Sequence, residues 1–211
     1  MTQIQSIRSL QALGLSLREV AGYFRDSKNL DLYLQRIMQM RESLDRSIQI
    51  IRARSTKQGD LTVHIATLPR QVCLCRQYQC KDATEAAVRL RETYIAAART
   101  GKMSIIHRMF VVRIAKNPDS LDLMCCIPMD DGFAGPDRIE FAETAALSIY
   151  YRGPYEGIET AMRALEKYGQ EHNIQIAGSF RSIYLEGPPN RGQNNVDYIT
   201  LVAVPVKGLT L

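Results

Sequence analysis

Apolar residues change their spacing once along the chain, near residue 60, and the change separates a helical quarter from a strand-rich remainder. Ile4, Ile7, Leu10 and Leu13 recur at steps of three, one stripe of a helix over 3–13 that Gly14 would cap. Ser16 and Glu19 then form a capping box ahead of a second short helix over 17–24, and 26–29 read as a turn. From Leu30 a longer helix places Leu30, Leu34, Ile37, Leu44, Ile48 and Ile51 at alternating steps of four and three, interrupted at Arg41. That is a heptad seam of about three repeats, and unpaired it would leave an apolar stripe in water. A coiled-coil homodimer through residues 30–54 is expected; packing of the stripe on the chain's own C-terminal region is the alternative.

After Gly59-Asp60 the period changes to that of strands. Residues 61–79 read as strand, and Asp82 with Glu85 makes a second capping box. The helix it opens shows Ala83, Ala86, Ala87, Leu90, Tyr94 and Ala97 as its buried face. Strands over 105–114 and 121–129 follow, separated by the turn Asn117-Pro118-Asp119. The order then repeats: a strand over 140–151, a helix opened by Gly153-Pro154 with Ile158, Ala161, Met162 and Leu165 as its stripe, and strands over 176–185 and 198–206. Two successive β-α-β-β units predict an internal duplication, an α+β domain with two helices on one side of an antiparallel sheet.

Composition narrows the class. With 45% hydrophobic and 23% charged residues the chain is an ordinary globular one. No apolar run approaches a membrane span, and the first 25 residues are amphipathic and charged, unlike a signal peptide. Five cysteines are an odd count for a secreted disulfide scaffold, so a cytoplasmic location is expected. The net charge of +5 concentrates in residues 1–60, where ten Lys/Arg meet six Asp/Glu. This bias hints at a nucleic-acid neighbour for that quarter, or simply marks a solvated helical surface.

Within that quarter, Ile4-Gln5-Ser6-Ile7-Arg8-Ser9-Leu10, Leu13-Gly14-Leu15-Ser16-Leu17-Arg18-Glu19-Val20 and the heptad helix resemble the second half of a MerR-family DNA-binding domain and its dimerisation helix. The family's leading helix-turn-helix would precede residue 3, so DNA is expected as a partner only of an intact regulator carrying that head. The later segment Tyr151-Arg152-Gly153-Pro154-Tyr155-Glu156-Gly157-Ile158, with Arg181-Ser182-Ile183-Tyr184 and Tyr198…Val204-Pro205-Val206, resembles the GyrI-like effector-binding domain of multidrug-sensing MerR regulators. The organisation implied is a remnant of the DNA-binding domain over 1–28, a coiled-coil helix over 29–58 and a GyrI-like domain over 59–211. The function implied is ligand sensing and dimerisation in a transcriptional regulator; a GyrI-like protein-binding or hydrolase-like module is the alternative.

The resemblance also implies a site. Such domains bind lipophilic compounds, often cations, in a groove at the sheet between the two halves, using aromatic faces and a buried carboxylate. Phe110, Tyr151, Ile158, Ser182, Tyr184, Glu186 and Tyr198 are the candidate ligand contacts. The family's Glu in a Glu-x-Tyr motif falls on Ser182, which removes the expected acid. Alternation puts Ser182, Tyr184 and Glu186 on one face, so Glu186 is one substitute, although Gly187-Pro188-Pro189 suggests that it lies at the sheet edge; Asp122 is a second. A weaker preference for cations follows, or a neutral ligand that bonds the Ser182 hydroxyl. Catalysis is not expected without that Glu, and no cofactor is implied. Cys73 and Cys75 would share a strand face about 7 Å apart, Cys125 and Cys126 would point to opposite faces, and no His stands at ligand spacing, so buried thiols rather than a metal site are expected.

Overall fold

The computed structural model describes residues 3–12, 15–25, 30–55, 57, 59–104, 107–117, 120–186 and 198–208. The expected Gly14 cap, the turn at 26–29, the start of a strand at Ile105, the Pro118-Asp119 turn and the Gly187-Pro188-Pro189 edge lie outside the described residues. Two compact units make up the chain, Met1–Gln49 and Ile50–Leu211.

In the first unit, α1 (Gln3–Ala12) and α2 (Leu17–Arg25) close around Leu15 and Val20, with Ile7, Leu10 and Tyr23 packed beside them. The capping box forms as its residues dictate. The Glu19 carboxylate accepts the Ser16 N–H at 2.8 Å, and the Glu19 N–H donates to the Ser16 hydroxyl at 3.4 Å. Helix α3 (Leu30–Ser55) is continuous over 26 residues, and Leu34, Leu44, Ile48 and Ile51 of the heptad seam are exposed.

The second unit is built on one eight-stranded antiparallel sheet. Its strands are β1 (His64–Leu68), β2 (Gln71–Cys80), β3 (Phe110–Asn117), β4 (Ser120–Met129), β5 (Arg138–Phe141), β6 (Thr144–Arg152), β7 (Arg181–Glu186) and β8 (Ile199–Pro205). Helix α4 (Ala83–Ala98) follows β2 and α5 (Ile158–Glu171) follows β6. The spatial order is β1-β6-β8-β7-β3-β4-β2-β5. Each half thus contributes a three-stranded block, β2-β4-β3 or β6-β8-β7, and the blocks join where β3 pairs with β7. The duplication is present, with one addition. The segments over 61–79 and 140–151 each break into two strands, at Pro69-Arg70 and at Ala142-Glu143. A proline cannot continue a ladder, which explains the first break. The short leading strands then cross over: β1 pairs with β6 of the second half, and β5 pairs with β2 of the first.

Both helices lie on the same face of this sheet, but they bury it differently. On α5, Ile158, Ala161, Met162 and Leu165 are all buried, against Leu147, Ile149, Tyr151, Val202 and Val204. Helix α4 opens with the expected box, the Asp82 carboxylate accepting the Glu85 N–H at 2.8 Å and Glu85 accepting the Lys81 N–H at 3.0 Å. Its deepest residues are Ala97 and Thr93, the latter 3.1 Å from the Tyr78 hydroxyl. Ala87 and Tyr94, read as buried from the sequence, are exposed. The stripe that holds them faces a groove rather than the core. On the opposite face of the sheet, Ile50 and Ala53 at the end of α3 pack on Leu185, Ile199 and Leu201. Among the described residues no helix is long and apolar enough to cross a membrane.

Candidate functional site

Between α4 and α5, floored by β3, β4 and β7, runs a groove of about 520 Å³. One wall is the α4 stripe: Ala83, Ala86, Ala87, Leu90 and Tyr94. The other is Ile158 and Met162 of α5 with Tyr155 of the preceding turn. Alternation along β3 sends Val111 and Arg113 to this side, with Met109 just before the strand, and along β7 it sends Ser182 and Tyr184. The groove is mostly apolar, with Arg91, Arg113, Glu156 and Glu159 as its charges.

Those four charges balance, and two of them are tied. Arg113 Nη2 donates to Glu159 Oε2 at 2.6 Å, both side chains half-buried, so the sheet floor is linked to α5 across the groove. The Tyr155 ring meets Tyr184 edge-on at 5.2 Å and Tyr198 at 4.8 Å, a cluster of three aromatic faces. Burial pushes the phenols of Tyr155 and Tyr184 up from the ordinary tyrosine value, which keeps both protonated donors at neutral pH.

Of the seven candidate contacts read from the sequence, Ile158, Ser182 and Tyr184 line the groove, and Tyr198 adjoins it through Tyr155. Phe110 points to the opposite face of the sheet, packed with Cys73, Cys75, Val112, Met124 and Cys126, because the groove takes the odd-numbered positions of β3. Tyr151 lies beneath the turn rather than in the groove. A Cβ at Gly157 would collide with its hydroxyl, and one at Gly153 would come within 2.9 Å of it. Gly153 also has φ +153°, and its N–H donates to the Tyr198 carbonyl at 3.0 Å. The Gly153-Pro154-Tyr155-Glu156-Gly157 turn is therefore moulded over Tyr151, and the mould throws Tyr155 into the groove.

Neither expected substitute acid is in place. A bulge between Tyr184 and Glu186 breaks the alternation of β7, and Glu186 pairs instead with Arg54 of α3 at 3.0 Å. Asp122 is absent from the groove lining, where its β4 neighbours Leu121 and Leu123 stand, and accepts from the Ser120 hydroxyl at 3.1 Å. The acids that do line the groove, Glu156 and Glu159, were missed in the sequence, as were Tyr155, Arg113 and the α4 wall. One signal was available: Glu159 follows Ile158 at the start of α5, and Tyr155 and Glu156 lie inside the motif already singled out.

Two helices over a duplicated antiparallel sheet is a fold also seen in known proteins. The chain shares the fold of the EcmrR C-terminal domain. The match has a TM-score of 0.60 at 15% identity and covers 70% of this chain and 98% of that one. A second match, to EcmrR in a cryo-EM structure of its DNA complex, has a TM-score of 0.60 at 16% identity and covers 98% of this chain and 82% of that one. A hydrolase from Listeria innocua also shares the fold, at a TM-score of 0.50 and 11% identity, over 74% of this chain and 96% of that one. No family model and no curated protein matches the chain.

Proposed function

We propose that this chain is the ligand-sensing and dimerising part of a MerR-type transcriptional regulator, and that a lipophilic small molecule binds in the groove between α4 and α5. The groove itself carries the reading: about 520 Å³ of mostly apolar space, lined by Tyr155 and Tyr184 with Tyr198 against Tyr155, suits an aromatic, drug-sized ligand. The likeness to EcmrR over nearly the whole chain supports the regulatory setting. DNA enters the proposal only through a DNA-reading head of the family's kind.

The charge pattern narrows the ligand. Glu159 already has Arg113, and Ser182 supplies a hydroxyl on the floor, so an uncharged ligand with one hydrogen-bonding group fits at least as well as a cation. Binding rather than hydrolysis is favoured because, among the described residues, no His or Cys lines the groove beside Ser182 to activate its hydroxyl. The dimer rests on Leu34, Leu44, Ile48 and Ile51, whose exposure on α3 leaves an apolar seam for a second copy in an antiparallel coiled coil.

Thermal melts with aryl-bearing quaternary cations and their uncharged analogues test the site. A ligand at about 100 times its dissociation constant should add roughly 2.7 kcal/mol of stability. Tyr184→Ala should abolish the shift, and Ser182→Glu should move the preference towards cations. Ligands that stabilise the Tyr184→Ala variant as well as the parent would place binding elsewhere. For the dimer, Leu44→Asp with Ile48→Asp should convert a sedimenting dimer to monomer; no change in mass would sink that part.

A further inference from the structure

On the face of the sheet away from the groove, three thiols meet. Cys73 and Cys75 alternate to that face along β2, and Cys126 reaches it from β4, all buried beside Phe110 and Met124. Cys75 is paired directly with Cys126 in the ladder, and their Sγ atoms are 3.3 Å apart. The Cys75 N–H donates away from β4, to the Asp137 carbonyl at 2.8 Å. Cys75 and Cys126 are therefore a non-hydrogen-bonded antiparallel pair, the kind whose Cα atoms approach to about 4.5 Å. That separation lies inside the range a disulfide spans without backbone movement, roughly 4.4–6.8 Å.

A cation stands over the same cluster. Arg181 of β7 is half-buried with its guanidinium 4.7 Å from the Phe141 ring centre and 5.8 Å from that of Phe110. Burial lowers its pKa, charge on Cys126 or Cys73 would raise it, and among the described residues it has no carboxylate partner. Such a cation favours negative charge on a neighbouring sulfur, here Cys73. Within the trio, hydrogen bonds from Cys126 and Cys73 pull the Cys75 thiol down, against its burial and the repulsion of Asp137. Its partners move up, Cys73 through its bond to Cys75 and Cys126 chiefly through burial. Cys75 is also the most accessible of the three, 7% exposed where the other two are fully covered.

We propose that Cys75 and Cys126, beside Cys73, form a peroxide-reactive thiol site, with Cys75 as the attacking sulfur and Cys126 as the resolving one. In the first step the Cys75 thiolate attacks one oxygen of hydrogen peroxide. The O–O bond breaks, hydroxide leaves, and a sulfenic acid forms on Cys75. In the second the Cys126 sulfur attacks the Cys75 sulfur, displacing the hydroxyl, which leaves as water with the thiol proton. Two thiols are oxidised by two electrons, the peroxide is reduced to two waters after the hydroxide is protonated, and a bond joins β2 to β4. The site is separate from the ligand groove and does not depend on its occupant.

The test uses the full chain, reduced and then exposed to a few equivalents of hydrogen peroxide, with the remaining thiols alkylated and peptides mapped by mass. Two of the five thiols should disappear, linked as Cys75–Cys126 within one chain. Cys75→Ser should slow thiol loss by about tenfold or more, whereas Cys80→Ser, on the helix-side face, should leave its rate unchanged. In Cys126→Ser the sulfenic acid should persist on Cys75 and be captured by dimedone. The unmutated chain decides by itself should a variant fail to fold. Survival of all five thiols, a Cys80–Cys125 link, or links only between chains would overturn the assignment.

Discussion

The phenol of Tyr151 occupies the space that side chains at Gly153 and Gly157 would need, so three residues of one short motif are chosen together. Gly157→Ala should destabilise the fold by about 1–3 kcal/mol, since the new methyl has to displace a buried ring. Tyr151→Phe in the same chain should recover part of that loss, because the hydroxyl is the atom in the way; thermal melts of the two single variants and the double variant measure the coupling. The tyrosines also set an alkaline limit. Burial raises the phenols of Tyr150, Tyr155 and Tyr184 in the folded chain, so the folded state holds protons that the unfolded state releases near pH 10. Stability is thus kept below that pH and falls as the pH rises beyond it; a melting temperature flat between pH 10 and 11 would contradict this. Ser182 and Tyr184, found by motif, share one face and line the groove, because alternation holds as far as Tyr184. Sequence reading lost Glu186 one step later, since a bulge leaves no mark in residue types at that point.

Helices α4 and α5 carry similar apolar stripes, yet one stripe is core and the other is mostly a groove wall. Periodicity reports that a helix has an apolar side, not whether protein or a ligand covers it, and this is why α4 was read as buried. The difference is measurable. Leu165→Ala on α5 removes a fully covered side chain and should cost about 2–5 kcal/mol in denaturant melts. Leu90→Ala on α4 should cost well under half of that and instead change ligand affinity, because Leu90 is only half-buried and faces the groove. Element starts were more legible than element faces. Both capping boxes form with the residues the sequence indicated, since a cap is a local bond between side chain and backbone within one turn. Asp82→Ala should therefore lower stability by about 1 kcal/mol.

For the molecule as a whole, the repeat was visible because each half has the same order of elements, but the exchange of leading strands was not. Which strand a segment pairs with is settled by distant residues, and β1 and β5 each look like the front part of the strand that follows. Their exchange ties the halves together: β1 is completed by β6 and β5 completes the edge beside β2. A fragment covering residues 60–131 should give no cooperative melt alone, and mixing it with a fragment covering 132–208 should restore one; a cooperative first fragment would argue against this dependence. The exchange bears also on the order of events at the ribosome. Ser148 bonds the carbonyl of His64, 84 residues earlier, so β1 leaves the exit tunnel long before its partner has been made. Until β6 emerges, β1 and the open edge beside β2 are unpaired backbone within reach of other nascent chains. Contacts of such sequence separation close slowly, which makes the interval between the two halves the period when synthesis is most exposed to aggregation.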